Sequence, residues 1–261
     1  MAVKKKKQHA HRELYLATQD APFPFVEAYK SLRTNLEFLS ATHNCKTVLV
    51  TSSAPSEGKS NVSINLAITL ASSNKRVVLV DCDMRKSSIS HYMHIRHDHA
   101  GFSNVIAGSA ALGDALIRFK DVNITVLPVG PLPPNPSEML ASDAARAAIA
   151  ALQEAFDYVI LDTPPITVVT DAAVLCAAAD GVLLVVRPGV TTIQGAQMSK
   201  QRLEAVNARI LGVVMNGYDA RKSNKKDGYY YSYYSYSNYG EEDPAEDGQG
   251  YNDGKGPGKN K

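Results

Sequence analysis

The residues with the clearest chemical potential are a lysine and a serine that follow a glycine at the start of a predicted helix. The segment "SSAPSEGKS" (52–60) comes directly after the apolar run "VLV". It matches the phosphate-binding pattern G-x-x-x-x-G-K-[S/T] at Gly58, Lys59 and Ser60, with Ser53 in place of the first glycine. Backbone N–H groups of such a loop bind an anion, and the lysine reaches the terminal phosphates. The predicted nucleotide contacts of this loop are Ser56, Glu57, Gly58, Lys59, Ser60 and Asn61.

Three aspartates follow two other apolar runs. "VVLVD" ends at Asp81 and is followed by Asp83, and "YVILD" ends at Asp162. One aspartate at a strand end is most often a helix cap. Ligands bind at the carboxyl ends of strands in an open parallel sheet, so three acids beside a phosphate loop favour a metal–nucleotide site. We expect Ser60 and the three aspartates to bind Mg²⁺, which prefers oxygen ligands.

These residues suit either nucleotide hydrolysis or phosphoryl transfer to another acceptor. Both reactions need positioning, charge neutralisation and a group that orients or deprotonates the nucleophile. The pair Asp81-x-Asp83 is unusual for a simple nucleotide hydrolase. One acid of the pair can bind the metal while the other accepts the proton of an incoming hydroxyl.

Short apolar runs alternate with helix-length spacers from residue 46 to residue 216. The runs are "KTVLVTS", "RVVLVDCD", "ITVLPVG", "YVILDTPP", "GVLLVVRPG" and "RILGVVMNG". Continuous apolar character indicates strands that are buried on both faces of a parallel sheet. We therefore predict a doubly wound, mostly parallel α/β domain over 25–218, which opens with a helix at 25–39.

Two polar segments flank the predicted domain. Residues 1–24 contain "KKKK" and are predicted to be a flexible basic N-terminus, and residues 219–261 contain "GYYYSYYSYSN" and are predicted to be a disordered, tyrosine-rich tail. The 261-residue chain has a net charge of only +2, which argues against general nucleic-acid binding. Three scattered cysteines fit a reducing cytoplasm, and no apolar run is long enough to span a membrane.

Several motifs together resemble those of a known enzyme family. "SSAPSEGKS" (52–60), "VVLVDCDMR" (77–85) and "YVILDTPP" (158–165) are similar to the Walker A, Walker A′ and Walker B motifs of the bacterial tyrosine kinases (BY-kinases) of capsular and exopolysaccharide synthesis. "GFSNVIAG" (101–108), "NPSEML" (135–140) and the tyrosine-rich tail extend the resemblance, which covers roughly residues 20–240. The resemblance implies the P-loop fold of the MinD/ParA type.

The resemblance also implies a reaction and its residues. Lys59 would bind the phosphates of ATP, the aspartates would organise Mg²⁺, and Asp81 would activate the tyrosine hydroxyl. The expected phosphate acceptors, presented in trans within a ring of subunits, are Tyr229, Tyr230, Tyr231, Tyr233, Tyr234, Tyr236 and Tyr239. Ring contacts in the family use Glu-x-x-Arg-x-x-Arg, which corresponds here to Glu27, Lys30 and Arg33.

The implied partners are proteins. With no predicted membrane span, the sequence resembles the separate cytoplasmic form of these kinases. A membrane adaptor of the polysaccharide chain-length-regulator type would recruit that form to the inner face of the cell membrane and activate it. A cognate tyrosine phosphatase would reverse its phosphorylation.

Two other functions compete with the kinase interpretation. A MinD/ParA-like ATPase switch would hydrolyse ATP without phosphorylating tyrosine. Such proteins usually carry an additional lysine where this chain has Ala54, and they have no use for a tyrosine-rich tail. A nucleic-acid-binding module would use the basic patch at 221–226 together with the aromatic tail.

Four weaker features have ordinary structural explanations beside functional ones. Arg85 could bind a phosphate or pair with a surface acid, and Asn216 could bind adenine or cap a turn. Ser137 is predicted to cap the helix that "NPSEML" opens, with no chemical role. The histidines at positions 91, 94, 97 and 99 are interpreted as a polar surface segment rather than a zinc site.

Overall fold

The computed structural model describes residues 15–18, 20–96 and 98–218, without the side chains of residues 41–43. The seven tail tyrosines, the basic patch at 221–226 and His97 lie outside the described residues. The boundaries predicted for the N-terminal segment (1–24), the domain (25–218) and the tail (219–261) therefore stay predictions.

One sheet of seven strands forms the centre of the described part of the chain. The strands are β1 (Thr47–Ser52), β2 (Val77–Asp81), β3 (Ile117–Phe119), β4 (Ile124–Leu127), β5 (Tyr158–Asp162), β6 (Gly181–Val186) and β7 (Ile210–Met215). Their order is β3-β4-β2-β5-β1-β6-β7, and only the β3–β4 pair is antiparallel. This confirms the prediction of a mostly parallel α/β sheet. All six predicted strands are present, and β3 is an additional one.

Helices cover both faces of the sheet. They are α1 (Phe23–His43), α2 (Lys59–Ala71), α3 (Ile89–Tyr92), α4 (Phe102–Ile106), α5 (Leu112–Ala115), α6 (Pro136–Ala141), α7 (Asp143–Ala155), α8 (Asp171–Leu175) and α9 (Ile193–Ala205), with a 3₁₀ turn at Cys176–Ala178. Two hydrophobic clusters, one on each face, account for the continuous apolar runs in the central strands. The N-terminal helix predicted at 25–39 is confirmed and is longer at both ends.

The fold places the candidate chemistry at one edge of the sheet. β1, β2 and β5 are neighbours and parallel, so the loops after all three strands leave from the same edge. Asp81 and Asp162 are directly opposite each other in the β2–β5 register. α2 starts at the same edge, immediately after β1, and from Ser60 to Ala71 almost every residue is buried because α1 packs over it. The phosphate loop therefore has a rigid base.

Candidate nucleotide and phosphoryl-transfer site

The phosphate loop connects β1 to α2 and requires glycine at its last position. Gly58 has φ +91°, and a Cβ atom there would lie 1.9 Å from Nδ2 of Asn216. That Nδ2 atom donates a 2.8 Å hydrogen bond to the carbonyl oxygen of Glu57. The structure thus places the predicted adenine contact Asn216 against the back of the loop, where its amide stabilises the loop conformation.

Glu57 supports the loop from the inside. Its carboxylate is fully buried and accepts hydrogen bonds from the backbone N–H of Ala54 at 2.9 Å and from the hydroxyl of Thr191. Arg187 donates to the carbonyl oxygen of Ser56 at 3.2 Å. The side chain of Glu57 therefore faces away from the space where a phosphate would bind. The predicted phosphate contact of Glu57 can therefore come from its backbone but not from its side chain.

Lys59 lies at the centre of the acidic residues. Its Nζ atom is 2.9 Å from Oδ2 of Asp83 and 3.6 Å from Oδ2 of Asp162, and its side chain is only 11% exposed. Burial alone would lower the pKa of Lys59, but the charges of Asp162 and Asp83 raise it above its ordinary value. Lys59 is therefore a fixed positive charge at the start of α2.

Ser60 and Asp162 form the second part of the site. The Ser60 hydroxyl donates a 2.6 Å hydrogen bond to Oδ2 of Asp162, and the Ser63 hydroxyl donates a 2.9 Å bond to Oδ1. Burial raises the pKa of Asp162, while Lys59 and the two serine hydroxyls oppose that rise. Ser63 was not predicted from the sequence. Its position one turn after Lys59 on α2 is the signal that could have identified it.

Asp81, the last residue of β2, is more deeply buried than Asp83, which follows the strand. Its Oδ1 atom accepts the backbone N–H of Asp83 at 3.1 Å, and its Oδ2 atom accepts the Ser87 hydroxyl at 2.5 Å. Burial and the charge of Asp162 raise the pKa of Asp81 to about 7, although the hydrogen bond from Ser87 acts in the opposite direction. Asp81 can therefore exchange a proton near neutral pH, as a general base must.

Two other predicted contacts are engaged within the protein. The Arg85 guanidinium forms a two-bond pair with Asp171, at 2.9 and 3.0 Å. Oδ1 of Asn61 accepts a 3.2 Å hydrogen bond from the Tyr29 hydroxyl, which joins α2 to α1. Neither side chain is placed beside Lys59. Asp171 was not predicted from the sequence. The one sequence signal for it is its position as an acidic residue at the start of a helix, α8.

The predicted oligomer contacts divide into two groups. Lys30 and Glu27 form a 2.7 Å ion pair on the surface of α1, with side chains 47% and 37% exposed. Arg33 instead turns inward and donates 3.0 Å and 3.2 Å hydrogen bonds to the Thr69 carbonyl and the Ser72 hydroxyl. Glu27 and Lys30 are accessible to another molecule, whereas Arg33 fixes α1 to α2 in this arrangement.

Two of the weaker predictions can be compared with the structure. The prediction that Ser137 caps its helix is wrong, because Asn135 occupies the cap position and the Ser137 hydroxyl donates to Asp171 at 2.5 Å. His91 and His94 are exposed, and Asp98 pairs with Arg96. Across residues 15–18, 20–96 and 98–218, no three His, Cys, Asp or Glu side chains are arranged as a ready-made metal site.

The donor set nevertheless suits Mg²⁺ bound together with a nucleotide. Ser60 Oγ and Asp162 Oδ2 are adjacent oxygen atoms beside the phosphate loop, and Asp81 is next to Asp162 across the sheet. Mg²⁺ in nucleotide sites uses one or two protein oxygens and takes its other ligands from phosphates and water, so a cage of three carboxylates is not required. Burial raises the pKa values of Asp81 and Asp162 despite the nearby charge of Lys59, so an additional cation would stabilise their ionised forms.

Comparison with known proteins identifies the family. The sequence matches the family described as "AAA domain" over residues 46–212. It is 34% identical over 230 residues to tyrosine-protein kinase YwqD of Bacillus subtilis (strain 168), covering 88% of this chain and 96% of that protein. The chain belongs to the bacterial tyrosine kinases. This kinase is also 34% identical over 217 residues to tyrosine-protein kinase CpsD of Streptococcus agalactiae, covering 83% of this chain and 90% of that one.

Longer relatives and solved structures agree with this assignment. The kinase is 35% identical over 211 residues to tyrosine-protein kinase wzc of Salmonella typhimurium, but spans only 29% of that protein's length. The kinase domain of Escherichia coli tyrosine kinase ETK superposes with a TM-score of 0.73 at 33% identity, covering 85% of this chain and 88% of that one. A Mycobacterium smegmatis cobyrinic acid a,c-diamide synthase with bound ATP analogue and magnesium, at 23% identity and a TM-score of 0.61, shares the P-loop fold. No described helix of this kinase is both long and apolar enough to cross a membrane.

Proposed function

We propose that this kinase transfers the γ-phosphoryl group of MgATP to tyrosine hydroxyls, beginning with the tyrosine cluster of its own chain, and that it thereby regulates capsular or exopolysaccharide synthesis and export. The observation that carries the proposal is the position of Lys59, which lies between Asp83 and Asp162 at the end of the phosphate loop. Membership of the bacterial tyrosine kinases supports the choice of tyrosine as the acceptor.

ATP would bind by replacing interactions that the site now makes with itself. The β- and γ-phosphates would accept hydrogen bonds from the loop backbone at 56–61 and from Lys59, whose ammonium would then be shared between phosphates and carboxylates. Ser60 and Asp162 would hold the metal ion, with Asp81 and Asp83 beside it. When bound, Mg²⁺ neutralises phosphate charge and orients the transferred group.

Asp81 is the proposed general base. In the transfer step the phenol oxygen forms a bond to the γ-phosphorus, and the bond from that phosphorus to the bridging oxygen of ADP breaks. The proton of the phenol passes to Asp81, which lies opposite Asp162 at the ends of the two neighbouring strands. Asp83 is the poorer candidate because its carboxylate forms an ion pair with Lys59 at 2.9 Å, whereas the hydrogen bonds to Asp81 come from neutral groups, the Ser87 hydroxyl and the backbone N–H of Asp83.

The proposed acceptors are the seven tyrosines from Tyr229 to Tyr239. Replacing all seven with Phe is expected to reduce self-labelling by at least tenfold and to leave ATP affinity unchanged, because the nucleotide site is built from residues 53–216. Mass spectrometry and nucleotide titration would measure the two properties. Tyr251→Phe, which alters a tyrosine beyond the cluster, is the matched control. Persistent labelling of the seven-Phe variant would contradict the assignment.

A mixture of two inactive chains tests whether transfer occurs between subunits. Lys59→Met retains the acceptor tyrosines without the phosphate lysine, and the seven-Phe chain retains the site without the acceptors. Transfer in trans predicts phosphotyrosine on the Lys59→Met chain in the mixture and almost none in either chain alone. If the wild type is labelled and the mixture is not, transfer occurs within one chain.

The partners are proposed on the basis of family membership. We propose that the kinase forms a homo-oligomeric ring through α1, for which the exposed pair of Glu27 and Lys30 is available, while Arg33 holds α1 on α2. A membrane adaptor of the chain-length-regulator type would recruit this cytoplasmic kinase to the inner face of the cell membrane. A cognate tyrosine phosphatase would remove the phosphates, and nucleic acid has no part in the proposal.

A further inference from the structure

An ionic cluster outside the nucleotide site, built around one buried aspartate, joins three segments that are distant in sequence. Its members are Arg85 in the loop after β2, Ser137 on α6 and Asp171 at the start of α8. The Asp171 side chain is 0% exposed. It accepts two hydrogen bonds from the Arg85 guanidinium, at 2.9 and 3.0 Å, and one from the Ser137 hydroxyl at 2.5 Å. Arg85 also donates to Ser137 at 2.8 Å, which closes the cluster.

The cluster is connected directly to the acid that pairs with the phosphate lysine. The backbone N–H groups of Arg85 and Lys86 both point to Oδ1 of Asp83, at 3.4 and 3.0 Å. The other oxygen of Asp83 is 2.9 Å from Nζ of Lys59. The segment 83–86 is therefore held in two ways. The Arg85 guanidinium binds Asp171, and the Asp83 carboxylate accepts the backbone N–H groups of Arg85 and Lys86. Movement of Arg85 would change the direction in which Asp83 presents its carboxylate.

Stability alone does not explain a buried acid at this position. The Arg85 side chain is 40% exposed, so solvent screens its attraction to Asp171, and the ion pair offsets little of the cost of desolvating the buried carboxylate. The neighbouring residues of α8, Ala172 and Leu175, already belong to the hydrophobic cluster on this face of the sheet. A favourable interaction with the N-terminus of a helix would need only an exposed acid, such as Asp143 at the start of α7. The two-bond pairing instead fixes the orientation of Arg85.

We propose that Asp171 is a positioning residue of the phosphoryl-transfer reaction, which it serves by fixing Arg85 so that Asp83 stays directed at Lys59. Ser137 assists by fixing the Asp171 carboxylate from the opposite side. Asp171 touches neither nucleotide nor acceptor in this scheme, so its contribution concerns the rate of transfer more than the affinity for ATP. The inference rests on the proposed kinase function.

The test compares Asp171→Asn with Asp143→Asn in the full chain. Both aspartates occupy the first position of a helix and pair with an arginine, but Asp143 is 96% exposed and pairs with Arg146 on its own helix. Initial rates of phosphotyrosine formation on a tyrosine-containing peptide, measured against ATP concentration, give kcat and KM. We expect Asp171→Asn to lower kcat at least tenfold with less than a threefold change in the KM for ATP, and Asp143→Asn to change neither.

Two additional measurements separate positioning from simple loss of stability. Ser137→Ala removes the hydroxyl that contacts both Asp171 and Arg85 but leaves their ion pair, so it is expected to lower kcat several-fold with only a small change in melting temperature. The double variant Arg85→Gln, Asp171→Asn should lose no more kcat than the more impaired of the two single variants, because both substitutions act through the same contact. An Asp171→Asn enzyme that retains wild-type kcat would overturn the inference. So would a result in which the kcat of Asp171→Asn and Ser137→Ala falls only in proportion to the fraction of protein that remains folded. A wild type that makes phosphotyrosine neither on the peptide nor on its own chain would instead contradict the proposed function.

Discussion

Lys59→Met is expected to reduce phosphotyrosine formation by about 10³-fold, because it removes the fixed positive charge that stabilises the phosphates in the transition state. The same change leaves the buried carboxylates of Asp83 and Asp162 without their cation. Burial already raises the pKa of Asp162, and loss of the Lys59 charge would raise it further. The variant should therefore lose more thermal stability relative to the wild type at pH 8 than at pH 5, because Asp162 is more fully ionised at pH 8.

The control for this substitution is a second lysine far from the site. Lys75→Met alters an exposed lysine just before β2, at the edge of the sheet opposite the phosphate loop. We expect it to retain wild-type labelling and the wild-type dependence of melting temperature on pH. If Lys59→Met retained more than a tenth of the wild-type rate, the assignment of the phosphate loop would be wrong.

Asp81→Asn is expected to have opposite effects on activity and stability. Loss of the proposed base should lower the rate of tyrosine phosphorylation by about 10²–10⁴-fold. The nucleotide-free protein should become relatively more stable as the pH rises, because Asn carries no charge into the buried site. Differential scanning fluorimetry of the two proteins between pH 5 and pH 8 measures the second effect.

The sign of the pH effect follows from the direction of the pKa shift. The pKa of Asp81 rises from 3.8 to about 7 in the folded protein, so between these values the folded state binds more protons than the unfolded state. Wild-type stability from this group is present at low pH and is lost as the pH rises through about 7. The wild-type melting temperature should thus fall by several degrees more than that of Asp81→Asn between pH 5 and pH 8.

Asp157 provides a control with the opposite shift. The hydrogen bond from Arg76 holds the pKa of Asp157 below 3.8, so this acid stays ionised in both states throughout the pH range of the experiment. Asp157→Asn should therefore shift the melting temperature by a similar amount at pH 5 and pH 8. If the melting temperatures of the wild type and Asp81→Asn changed by the same amount between pH 5 and pH 8, the account of Asp81 would be contradicted.

The sequence predicts the parts of this structure that depend on local pattern. Six strands were predicted because short apolar runs separated by helix-length segments have few alternatives to a parallel α/β sheet. The prediction that all six are buried on both faces is wrong for β7, which lies at the edge of the sheet and is partly exposed. β3 escaped prediction because it is three residues long, half exposed and paired only through its antiparallel neighbour. The convergence of Lys59 with the acids after β2 and β5 was predictable because parallel strands end at a common edge.

Side-chain partnerships between distant segments could not be predicted in this way. The pairing of Asn216 with the loop at Glu57 joins residues 159 positions apart, and that of Arg85 with Asp171 joins residues 86 positions apart. Each of these polar residues has several plausible partners until the fold brings one of them within hydrogen-bonding distance. The sequence therefore did not predict the hydrogen bonds by which Asn216 and Arg85 stabilise loops around the site, and the nucleotide contacts expected of both residues stay predictions.

The most direct test of the account measures where the γ-phosphate of ATP goes. The purified full chain would be incubated with Mg²⁺ and γ-labelled ATP, and label in phosphotyrosine would be compared with label released as inorganic phosphate. We predict phosphotyrosine within Tyr229 to Tyr239, absent from Lys59→Met and present in Lys75→Met. Consumption of ATP with release of inorganic phosphate and no phosphotyrosine would contradict the kinase account and indicate an ATPase switch.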